Sequence, residues 1–543
     1  MKTLDFTNKT KELIDALKAV CASYGLGNDG NEFKIITQVF LYKFLNDKFA
    51  FEIKKIDDKL KNSLTYEKDI LTLNENEFEM LKMQLPANTA RLKAQHLLGT
   101  LFEKQNQPEF AKLFDETLSD IAATNSDIFS VKTEGGAKII LFDRVSEFIT
   151  DTSKRDAFCR AIINKLIEFS FENIFNQKYD FYATIFEYLI KDYNKDSGGK
   201  YAEYYTPHAV AKIMAAILVP KEVQGKIQNV TCYDPSAGSG TLLMNIAHAI
   251  GENKCSIYSQ DISQKSSSLL RLNLVLNNLV HSIQNIIQGD TMLHPYHKEG
   301  EGLRRFDYIV SNPPFRLDFS NERNNLDGKE NQKRFFAGIP KVPNKDKDKM
   351  SIYLLFIQHI IYSLTAKGKG AIVVPTGFIT AQSGIERKIR EKLIDEKMLA
   401  GVVSMPSNIF AKTATNVSIL FIDKNNKENV VLIDSSKLGE TVKEGKNQKT
   451  VLREDEEDKI INSFNKKEAI DDFSVVVSYD EIKAKNYSLS AGQYFDVKIE
   501  YIDISKAEFD AKMQGFSDNL EKMFGESKNL EDEIKKQLKG LGL

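Results

Sequence analysis

The sequence predicts an α/β protein whose central part forms a doubly wound, seven-stranded Rossmann-like sheet. Short apolar runs of strand length alternate with helical stretches between about residues 166 and 425, whereas residues 1–165 show helical spacing and residues 509–543 show heptad spacing. We therefore predict four regions: a helical N-terminal domain at 1–165, the sheet domain at 166–425, an extension at 426–508 and a terminal helix at 509–543.

The N-terminal region is predicted to be helical because its apolar side chains recur every three or four residues. A helix over Thr10–Tyr24 places Leu13 and Leu17 on one face. A second helix, over Phe33–Phe49, places four large apolar side chains on one face: Phe33, Ile36, Phe40 and Phe44. We find no alternating strand pattern and no internal repeat here.

Seven apolar runs in the central region have the length of buried strands. They are Val230–Tyr233, Cys255–Ser259, Ile283–Ile287, Tyr308–Ser311, Ala371–Val374, Gly401–Ser404 and Val417–Ile422. The predicted helices between them are Thr241–Ile250, Ser263–Asn278, Ser351–Leu364 and Gly384–Asp395. In a sheet of this kind a ligand binds beyond the carboxyl ends of the strands.

Two polar segments interrupt the alternation, and the tail differs from both. Arg316–Lys349 follows a predicted strand and reads either as a solvated loop or as a substrate-facing loop that orders on binding. Lys443–Lys467 reads as an insertion or linker.

The tail carries one heptad ladder, which predicts a coiled-coil or partner-docking helix, or a helix packed on its own chain: Phe509, Met513, Phe516, Leu520, Met523, Leu530, Ile534 and Leu541.

The overall charge excludes one class of nucleic-acid-binding protein. Among the 543 residues, 74 Lys and Arg oppose 76 Asp and Glu, which gives a formal net charge of −2. A histone-like protein, which holds nucleic acid by bulk positive charge, is therefore excluded, but binding through a local patch or with a partner is not.

The cysteines and the apolar runs indicate a cytoplasmic protein. The four cysteines are scattered without a C-x-x-C pair, so we expect neither a disulfide framework nor a cysteine-rich zinc site: Cys21, Cys159, Cys232 and Cys255. The seven histidines show no metal-ligand spacing. The polar start and the lack of an apolar run of about 18 residues predict no signal peptide and no membrane span.

A small-residue loop follows the first predicted strand. It runs Asp234, Pro235, Ser236, Ala237, Gly238, Ser239 and Gly240. The loop is neither a dinucleotide fingerprint, because Leu243 stands where the third glycine belongs, nor a P-loop, because no Gly-Lys-Ser/Thr follows. The acid that opens it would repel phosphate but suits a cationic ligand such as S-adenosylmethionine. The alternative is a plain tight turn between strand and helix.

Two further acids end the next two predicted strands. Asp261 lies 27 residues after Asp234 and can accept hydrogen bonds from ribose hydroxyls. Asp290 lies 29 residues after Asp261 and can accept one from an adenine amino group. Upstream, Tyr204 and Tyr205 precede a predicted helix and can cover an adenine. Three acids at successive strand ends are much less probable by chance than one.

The turn after the fourth predicted strand is the most informative feature. It reads Asn312, Pro313, Pro314 and Phe315. The Asn312 side-chain oxygen and the Pro313 carbonyl are two acceptors on a turn that the fixed proline φ angles make rigid. Two acceptors aimed at one amino group localise its nitrogen lone pair, which conjugation otherwise makes a poor nucleophile. Phe315 offers a flat face for a planar substrate.

This ordered set resembles the N6-adenine DNA methyltransferases, and most closely the modification (M) subunits of type I restriction-modification systems. Glu203-Tyr204-Tyr205-Thr206-Pro207 matches the segment that precedes the Asp-Pro-x-x-Gly-x-Gly loop in that family, and Asn312–Phe315 matches its Asn-Pro-Pro-Phe turn. The resemblance extends to the helical front, to Ser351–Ile379 and to Asn486–Leu489.

The resemblance implies a methyltransferase version of the fold, S-adenosylmethionine as cofactor and no metal. It implies cofactor contacts from Glu203, Tyr204, Tyr205, Thr206, Pro207, Asp234–Gly240, Asp261 and Asp290, and catalysis at Asn312, Pro313, Pro314 and Phe315. The expected reaction is methyl transfer to N6 of an adenine flipped out of double-stranded DNA. The expected partners are a specificity subunit and a second copy of this chain, with a restriction subunit in the full complex.

Other functions stay open at this stage. They are a stand-alone or phage-defence adenine methyltransferase, a protein-glutamine methyltransferase, a cytosine N4 methyltransferase and a non-catalytic cofactor-sensing scaffold. The low net charge predicts weak DNA binding by the isolated chain. The basic residues expected to face DNA follow the catalytic turn: Arg316, Arg323, Lys329, Lys333 and Arg334.

Overall fold

The computed structural model describes residues 2–27, 30–63, 66–172, 175, 184–186, 188–189, 206–410, 416–444, 447–496 and 504–540. The chain divides into two compact units, residues 1–494 and 495–543. The first unit contains the sheet with its flanking helices, and the second contains one long helix. The region boundaries predicted at 165, 425 and 508 remain predictions.

The first unit opens with helices, as the spacing of its apolar side chains predicts. They are α1 (Lys2–Ser23), α2 (Gly30–Ile56), α3 (Tyr66–Thr72), α4 (Glu75–Met83), α5 (Leu98–Lys104), α6 (Phe110–Thr124), α7 (Ser126–Phe129) and α8 (Arg155–Ile167). Helix α2 is buried on most of its surface, including the predicted apolar face. It therefore forms the centre of the helical layer rather than an outer, amphipathic helix.

A short hairpin within this region was not predicted. Strands β1 (Val131–Thr133) and β2 (Lys138–Ile139) pair with each other, and β1 pairs in parallel with the edge of the central sheet. The prediction that residues 1–165 are helical throughout is therefore wrong at this point. Strands this short carry too little alternation to stand out in the sequence.

The strands of the central region follow the predicted order. They are β3 (Val230–Asp234), β4 (Cys255–Asp261), β5 (Ile286–Gln288), the small hairpin β6 (Lys298–Glu299) and β7 (Gly302–Leu303), β8 (Phe306–Ser311), β9 (Leu364–Pro375), β10 (Leu399–Ser404) and β11 (Val417–Asp423). Strand β5 begins three residues later than predicted, because Val280–Asn285 forms a 3₁₀ helix. The helices between the strands are α9 (His208–Leu218), α10 (Thr241–Ile250), α11 (Gln264–Leu276), α12 (Arg323–Leu326), α13 (Tyr353–Ser363) and α14 (Gly384–Asp395).

The remaining elements extend the sheet beyond the predicted seven strands. They are β12 (Val430–Asp434), the hairpin β13 (Glu440–Glu444) and β14 (Asn447–Val451), α15 (Glu454–Asn465), β15 (Ser474–Val477) and α16 (Tyr479–Ala484). Lys443–Lys467, expected to be an insertion or linker, thus forms most of a hairpin and a helix. The segment looked unstructured because its charged side chains mask a narrow apolar face of α15, which buries Ile460 and Phe464.

The sheet has eleven strands in the order β15-β12-β10-β11-β9-β8-β3-β4-β5-β1-β2. The seven predicted strands form its middle, and two more strands lie at each edge. Strands β5, β4, β3, β8 and β9 are parallel neighbours, and β11 runs antiparallel between β9 and β10. The strand order reverses between β3 and β8, so the carboxyl ends of these two strands border the crevice where ligands bind in doubly wound sheets.

The polar segment Arg316–Lys349 is ordered around an apolar cluster of its own. Phe319, Leu326, Phe335 and Ile339 pack against side chains from α13 and from the segment that follows β5. Arg334, expected to face DNA, is only 3% exposed, so that expectation is wrong. The apolar residues are sparse and irregularly spaced, which is why the sequence alone left open a solvated loop.

Arg271 joins the N-terminal hairpin to the sheet domain. Its side chain lies on α11, is buried, and donates hydrogen bonds to the carbonyl oxygens of Phe129, Ile139, Ile140 and Leu141 at 3.0–3.4 Å. Burial lowers its pKa to about 10. One guanidinium thus satisfies four backbone acceptors and holds β1 and β2 at the edge of the sheet.

The second unit is described by the single helix α17 (Lys506–Gly540), 35 residues long. The large apolar side chains of its predicted ladder are exposed: Phe509, Met513, Phe516, Leu520, Met523, Leu530 and Ile534. Leu541, the last member of the ladder, lies outside the described residues. Among the helices of the described ranges, we find none that combines the length and apolar character needed to cross a bilayer.

We expect Arg271→Met to lower the free energy of unfolding of the full chain by about 2–4 kcal/mol, because it leaves buried carbonyl groups without donors. Urea denaturation followed by circular dichroism measures this. Arg91→Met is the matched control, since Arg91 forms an exposed ion pair with Asp127 at 3.1 Å, and such pairs contribute about 0–1 kcal/mol. Equal losses in the two variants would contradict the role given to Arg271.

Candidate functional site

The carboxyl ends of the parallel strands enclose one cavity of about 410 Å³. Five side chains predicted from separate parts of the sequence line it together: Thr206, Asp234, Asp261, Asp290 and Asn312. They come from the segment before α9 and from the ends of β3, β4, β5 and β8. The cavity therefore lies at the reversal of strand order, where the fold predicts a ligand.

The loop Asp234–Gly240 turns sharply between β3 and α10. Gly238 and Gly240 adopt left-handed φ angles of 53° and 84°, which side-chain-bearing residues rarely adopt. A Cβ atom at Gly240 would also overlap the side chain of Leu270. Both glycines are therefore required by the turn, and the turn brings the loop backbone against the cavity.

Asp234 is a buried carboxyl group whose pKa is strongly raised. It is 1% exposed, and its Oδ1 accepts hydrogen bonds from the Ser236 backbone N–H at 2.9 Å and from the Ser236 hydroxyl at 3.4 Å. Burial raises its pKa to about 8 despite these hydrogen bonds, and the charge of Asp261 adds to the rise. A positive charge in the cavity would stabilise the ionised carboxylate.

Asp261 ties the loop to the neighbouring strand. Its Oδ2 accepts from the Gly238 N–H and its Oδ1 from the Ser263 N–H, both at 2.9 Å. Burial raises the pKa of this carboxyl as well. Because a carboxylate has about four acceptor positions, both oxygens keep capacity for a ligand.

Asp290 is held in place by a carboxylate that the sequence did not reveal. Its Oδ1 accepts from the N–H groups of Met292 and Leu293 at 2.8 and 3.0 Å, and its own N–H donates to Glu134 Oε2 at 2.7 Å. Glu134 follows β1, and its other oxygen pairs with His294 at 3.2 Å. The N-terminal hairpin thus forms part of the site. A separation of 156 residues gives no sequence signal for this contact.

Two hydrogen bonds join the end of β8 and the Asn312–Phe315 turn to the segment before α9 and to the loop after β3. Asn312 Nδ2 donates to Thr206 Oγ1 at 3.1 Å, and the Ser311 hydroxyl contacts the Ser236 hydroxyl at 2.8 Å. Among the described residues, Asn312 Oδ1 makes no hydrogen bond. The amide oxygen is therefore available as an acceptor for a ligand.

The remaining predicted residues are distributed as follows. Pro314 lines the cavity beside Asn312, whereas Phe315 packs edge-on against Tyr353 with ring centroids 6.2 Å apart and is not part of the cavity wall. Pro313 and Pro207 are buried next to lining residues. Glu203, Tyr204 and Tyr205 lie outside the described residues.

Apolar residues that sequence reasoning missed complete the cavity. Ile262 is 61% exposed and lines it directly after Asp261, and Leu293, Phe319 and Phe356 line it from other segments. The sequence offered a signal for Ile262, because an apolar residue directly after a strand-end acid is placed to contact the same ligand. It offered no such signal for Phe319, which lies within a polar segment. Together these side chains offer an apolar surface of the kind that a planar base contacts.

A buried chain of polar side chains supports the cavity floor. Arg334 donates to the carbonyls of Thr291 and Met292 at 2.7 Å and to His359 Nδ1 at 2.9 Å. Burial, with the charge of Arg334, lowers the pKa of His359 well below its usual value. The neutral imidazole therefore accepts at Nδ1 and donates from Nε2 to the Tyr233 hydroxyl, 3.3 Å away. This chain fixes the polar segment against β3 and the end of β5.

The donor set fits S-adenosylmethionine. Two buried carboxyl groups face a cavity of about 410 Å³, which is within the range of small-molecule sites, roughly 300–1,000 Å³. The carboxyl groups suit its positive charge, the apolar wall suits its adenine, and no basic side chain is paired with a phosphate-binding loop. Within the described ranges, no group of three or more His, Cys, Asp or Glu side chains is arranged to hold a metal ion.

Comparison with known proteins assigns the central part of the chain to one family model. The model of the N-6 DNA methylases matches residues 177–501. The type I restriction enzyme MpnII methylase subunit of Mycoplasma pneumoniae is 30% identical over 366 residues, which are 66% of this chain and 63% of that protein. The MjaIX methylase subunit of Methanocaldococcus jannaschii is 29% identical over 399 residues, 70% of this chain and 66% of that protein. The matched parts thus span a little under two thirds of these two relatives.

The fold is also found in a solved structure. The crystal structure of the type I restriction-modification system methyltransferase subunit from Streptococcus thermophilus matches with a TM-score of 0.71 at 22% identity. The match covers 90% of this chain and all of that one. At this identity the likeness establishes the fold: a central sheet preceded by a helical region.

We expect the affinity for S-adenosylmethionine to rise as the pH increases from about 6 to 7.5, by up to about tenfold per pH unit, because ionisation of Asp234 precedes binding of a cation. Asp234→Asn should weaken binding and remove this dependence. Calorimetry measures both. Methylthioadenosine, which shares the nucleoside but carries no positive charge, is the control ligand. Asp234→Asn should weaken its binding much less than the binding of S-adenosylmethionine. A flat pH profile for the wild-type chain would contradict the electrostatic role of Asp234.

The same substitution should stabilise the ligand-free chain. A carboxyl group with a raised pKa contributes stability that is fully present below its ordinary pKa and is lost as the pH rises through about 8. Asp234→Asn removes this loss, so the variant should unfold at a higher temperature than the wild type at about pH 8.5. Thermal scans at about pH 5 are the control, since the difference should shrink there.

Proposed function

Since this chain belongs to the N-6 DNA methylase family, we propose that it transfers a methyl group from S-adenosylmethionine to N6 of adenine in double-stranded DNA, as the modification subunit of a type I restriction-modification complex. One observation carries the proposal. The Asn312 amide, with its oxygen free for a ligand, lines the same cavity as the buried carboxyl groups of Asp234 and Asp261. A methyl donor and an amino acceptor can therefore meet there.

The cofactor side of the cavity is built by the ends of β3, β4 and β5. S-adenosylmethionine supplies a methyl group activated by its sulfonium charge. Asp234 and Asp261 offset positive charge in a buried setting, where the interaction is stronger than in water. Asp290 keeps Oδ2 as an acceptor for an adenine amino group, and Ile262 offers an apolar face to the ring.

The substrate side is built by the turn after β8. A target adenine must leave the base stack, because its N6 cannot be reached within a duplex. Asn312 Oδ1 and the Pro313 carbonyl accept the two N6 hydrogens and localise the nitrogen lone pair. Phe315 is proposed to stack on the base, and its contact with Tyr353 fixes the tilt of its ring. Positioning and preorganised dipoles supply most of the rate enhancement.

DNA contacts are proposed for the polar segment beside the cavity. Arg316 is exposed at the cavity wall, and Lys329 and Lys333 are exposed on the same segment. Arg334 takes no part, because its guanidinium is buried. With a formal net charge of −2, this chain has few phosphate contacts available, so tight binding needs a partner that supplies more.

Helix α17 is proposed as the surface that docks this partner. Its exposed apolar side chains follow the heptad ladder that one helix presents to another. We propose a specificity subunit as the occupant, together with a second copy of this chain, and a restriction subunit in the full complex. The relatives in the comparison are named methylase subunits, which agrees with a function inside an assembly.

Asn312→Ala should lower methyl transfer by about 10²–10³-fold, because it removes one of two acceptors for the target amino group. Tritiated S-adenosylmethionine and unmethylated DNA, with the chain in complex with its specificity subunit, measure the rate. Cofactor affinity should stay within about threefold, since the amide is not assigned to the cofactor. Asn425→Ala, an exposed asparagine after β11, is the control. Full activity of Asn312→Ala, or transfer to a protein glutamine rather than to DNA, would contradict the proposed function.

Phe516→Glu with Leu520→Glu should abolish complex formation with the specificity subunit, because the pair places charge within the apolar ladder of α17. Light scattering and co-purification of the full chain measure this. The control pair, Ala511→Glu with Asn529→Glu, adds the same charge on the opposite face of the helix and should leave the complex intact. Loss of the complex in both pairs, or in neither, would contradict docking through the ladder.

A further inference from the structure

We propose that Thr206 is a positioning residue that sets which end of the Asn312 amide faces the substrate. This inference rests on the proposed function, because it gives the target amino group as the partner of Asn312. It adds a second contribution from the segment before α9, beyond the cofactor contact that the sequence predicted for Thr206.

The contact is direct and partly buried. Asn312 Nδ2 donates to Thr206 Oγ1 at 3.1 Å, and Thr206 is 5% exposed. The two residues lie 106 positions apart, on the segment before α9 and on the turn after β8. In the described part of the chain, Thr206 is the side-chain partner of this amide, and the Asn312 side chain has no other hydrogen bond.

The chemistry of the amide makes its orientation decisive. A carboxamide has an acceptor end and a donor end of nearly equal shape, and a half-turn about its last torsion exchanges them. A target amino group needs an acceptor. With the donor end turned toward it, two N–H₂ groups would face each other without a hydrogen bond. Holding Nδ2 on Thr206 therefore leaves Oδ1 as the end of the amide that a ligand in the cavity can use as an acceptor.

The Thr206 hydroxyl is itself rigidly placed. Residue 207 is proline, which restricts the residue before it to extended backbone, and the β-branched side chain has few rotamers. Helix α9 follows at His208 and buries its apolar face. The acceptor for Nδ2 is thus fixed by the start of a packed helix, so little orientational freedom remains at Asn312.

The hydrogen of the Thr206 hydroxyl must point away from Asn312. An amide nitrogen only donates, so the hydroxyl acts as an acceptor in this contact and its own hydrogen is directed elsewhere. Thr206 lines the cavity. An acceptor atom of a bound ligand can therefore take that hydrogen while the lone pair stays on Asn312 Nδ2. Binding of the cofactor and orientation of the catalytic amide are linked through one oxygen atom.

The test compares Thr206→Val, which keeps the shape and loses the acceptor, with Thr206→Ser, which keeps the acceptor. At saturating S-adenosylmethionine and DNA, kcat of the Val variant should fall by about 10–100-fold, while the Ser variant should stay within about threefold of the wild type. Thr72→Val, an exposed hydroxyl at the end of α3, is the matched control. Thermal unfolding of all variants should remain near that of the wild type.

A double-mutant cycle separates positioning from a merely structural effect. If Thr206 acts through Asn312, then Thr206→Val should reduce kcat no further in the Asn312→Ala background. If the kcat losses of Thr206→Val and Asn312→Ala multiply in the double variant, the proposal is overturned. It is also overturned if Thr206→Val changes only the Kd of S-adenosylmethionine and leaves kcat unchanged. If the wild-type complex methylates DNA and Thr206→Val matches it, this inference alone fails. If the wild-type complex transfers no methyl group to DNA, the proposed function fails.

Discussion

A chain of hydrogen bonds from Asp234 through Ser236 to Ser311 joins the two halves of the sheet where the strand order reverses. Asp234 ends β3, and Ser311 ends β8, its parallel neighbour. Neither half could place a complete site alone, because one carries the buried carboxyl groups and the other carries the Asn312 turn. The 2.8 Å contact between the two serine hydroxyls holds the end of β8 against the loop that follows β3.

Burial of the carboxyl groups explains why the site favours a cationic ligand and why ionising Asp234 without such a ligand is unfavourable. Removing Asp234 from water raises its pKa to about 8, so the ligand-free protein holds this carboxyl mostly protonated at neutral pH, and a bound cation favours its ionised form. The surrounding structure supports this arrangement through fully paired groups. The Gly238 N–H donates to Asp261, and the Thr291 hydroxyl donates to the Pro235 carbonyl at 2.7 Å. Arg334 donates to the carbonyl oxygens of Thr291 and Met292.

The N-terminal region is part of the site rather than an appendage. Strand β1 pairs with β5, and Arg271 holds the hairpin that carries Glu134 to the N–H of Asp290. Any shift of this region relative to the sheet would move the acid proposed to recognise adenine. The polar segment after β8 also contributes to the site, because Phe319 and Leu326 of its apolar cluster line the cavity.

The sequence by itself determined the alternation of strands and helices, the strand-end positions of Asp234, Asp261 and Asp290, and the Asn312–Phe315 turn. These features are local, since periodicity, glycine turns and proline restriction act over a few neighbouring residues. Only the tertiary structure decided the contacts of Glu134 with Asp290 and of Thr206 with Asn312, the burial of Arg334, and the four added strands. Each of these depends on segments brought together from up to 156 residues apart. Their pairing is set by packing of the whole sheet, which no local pattern records.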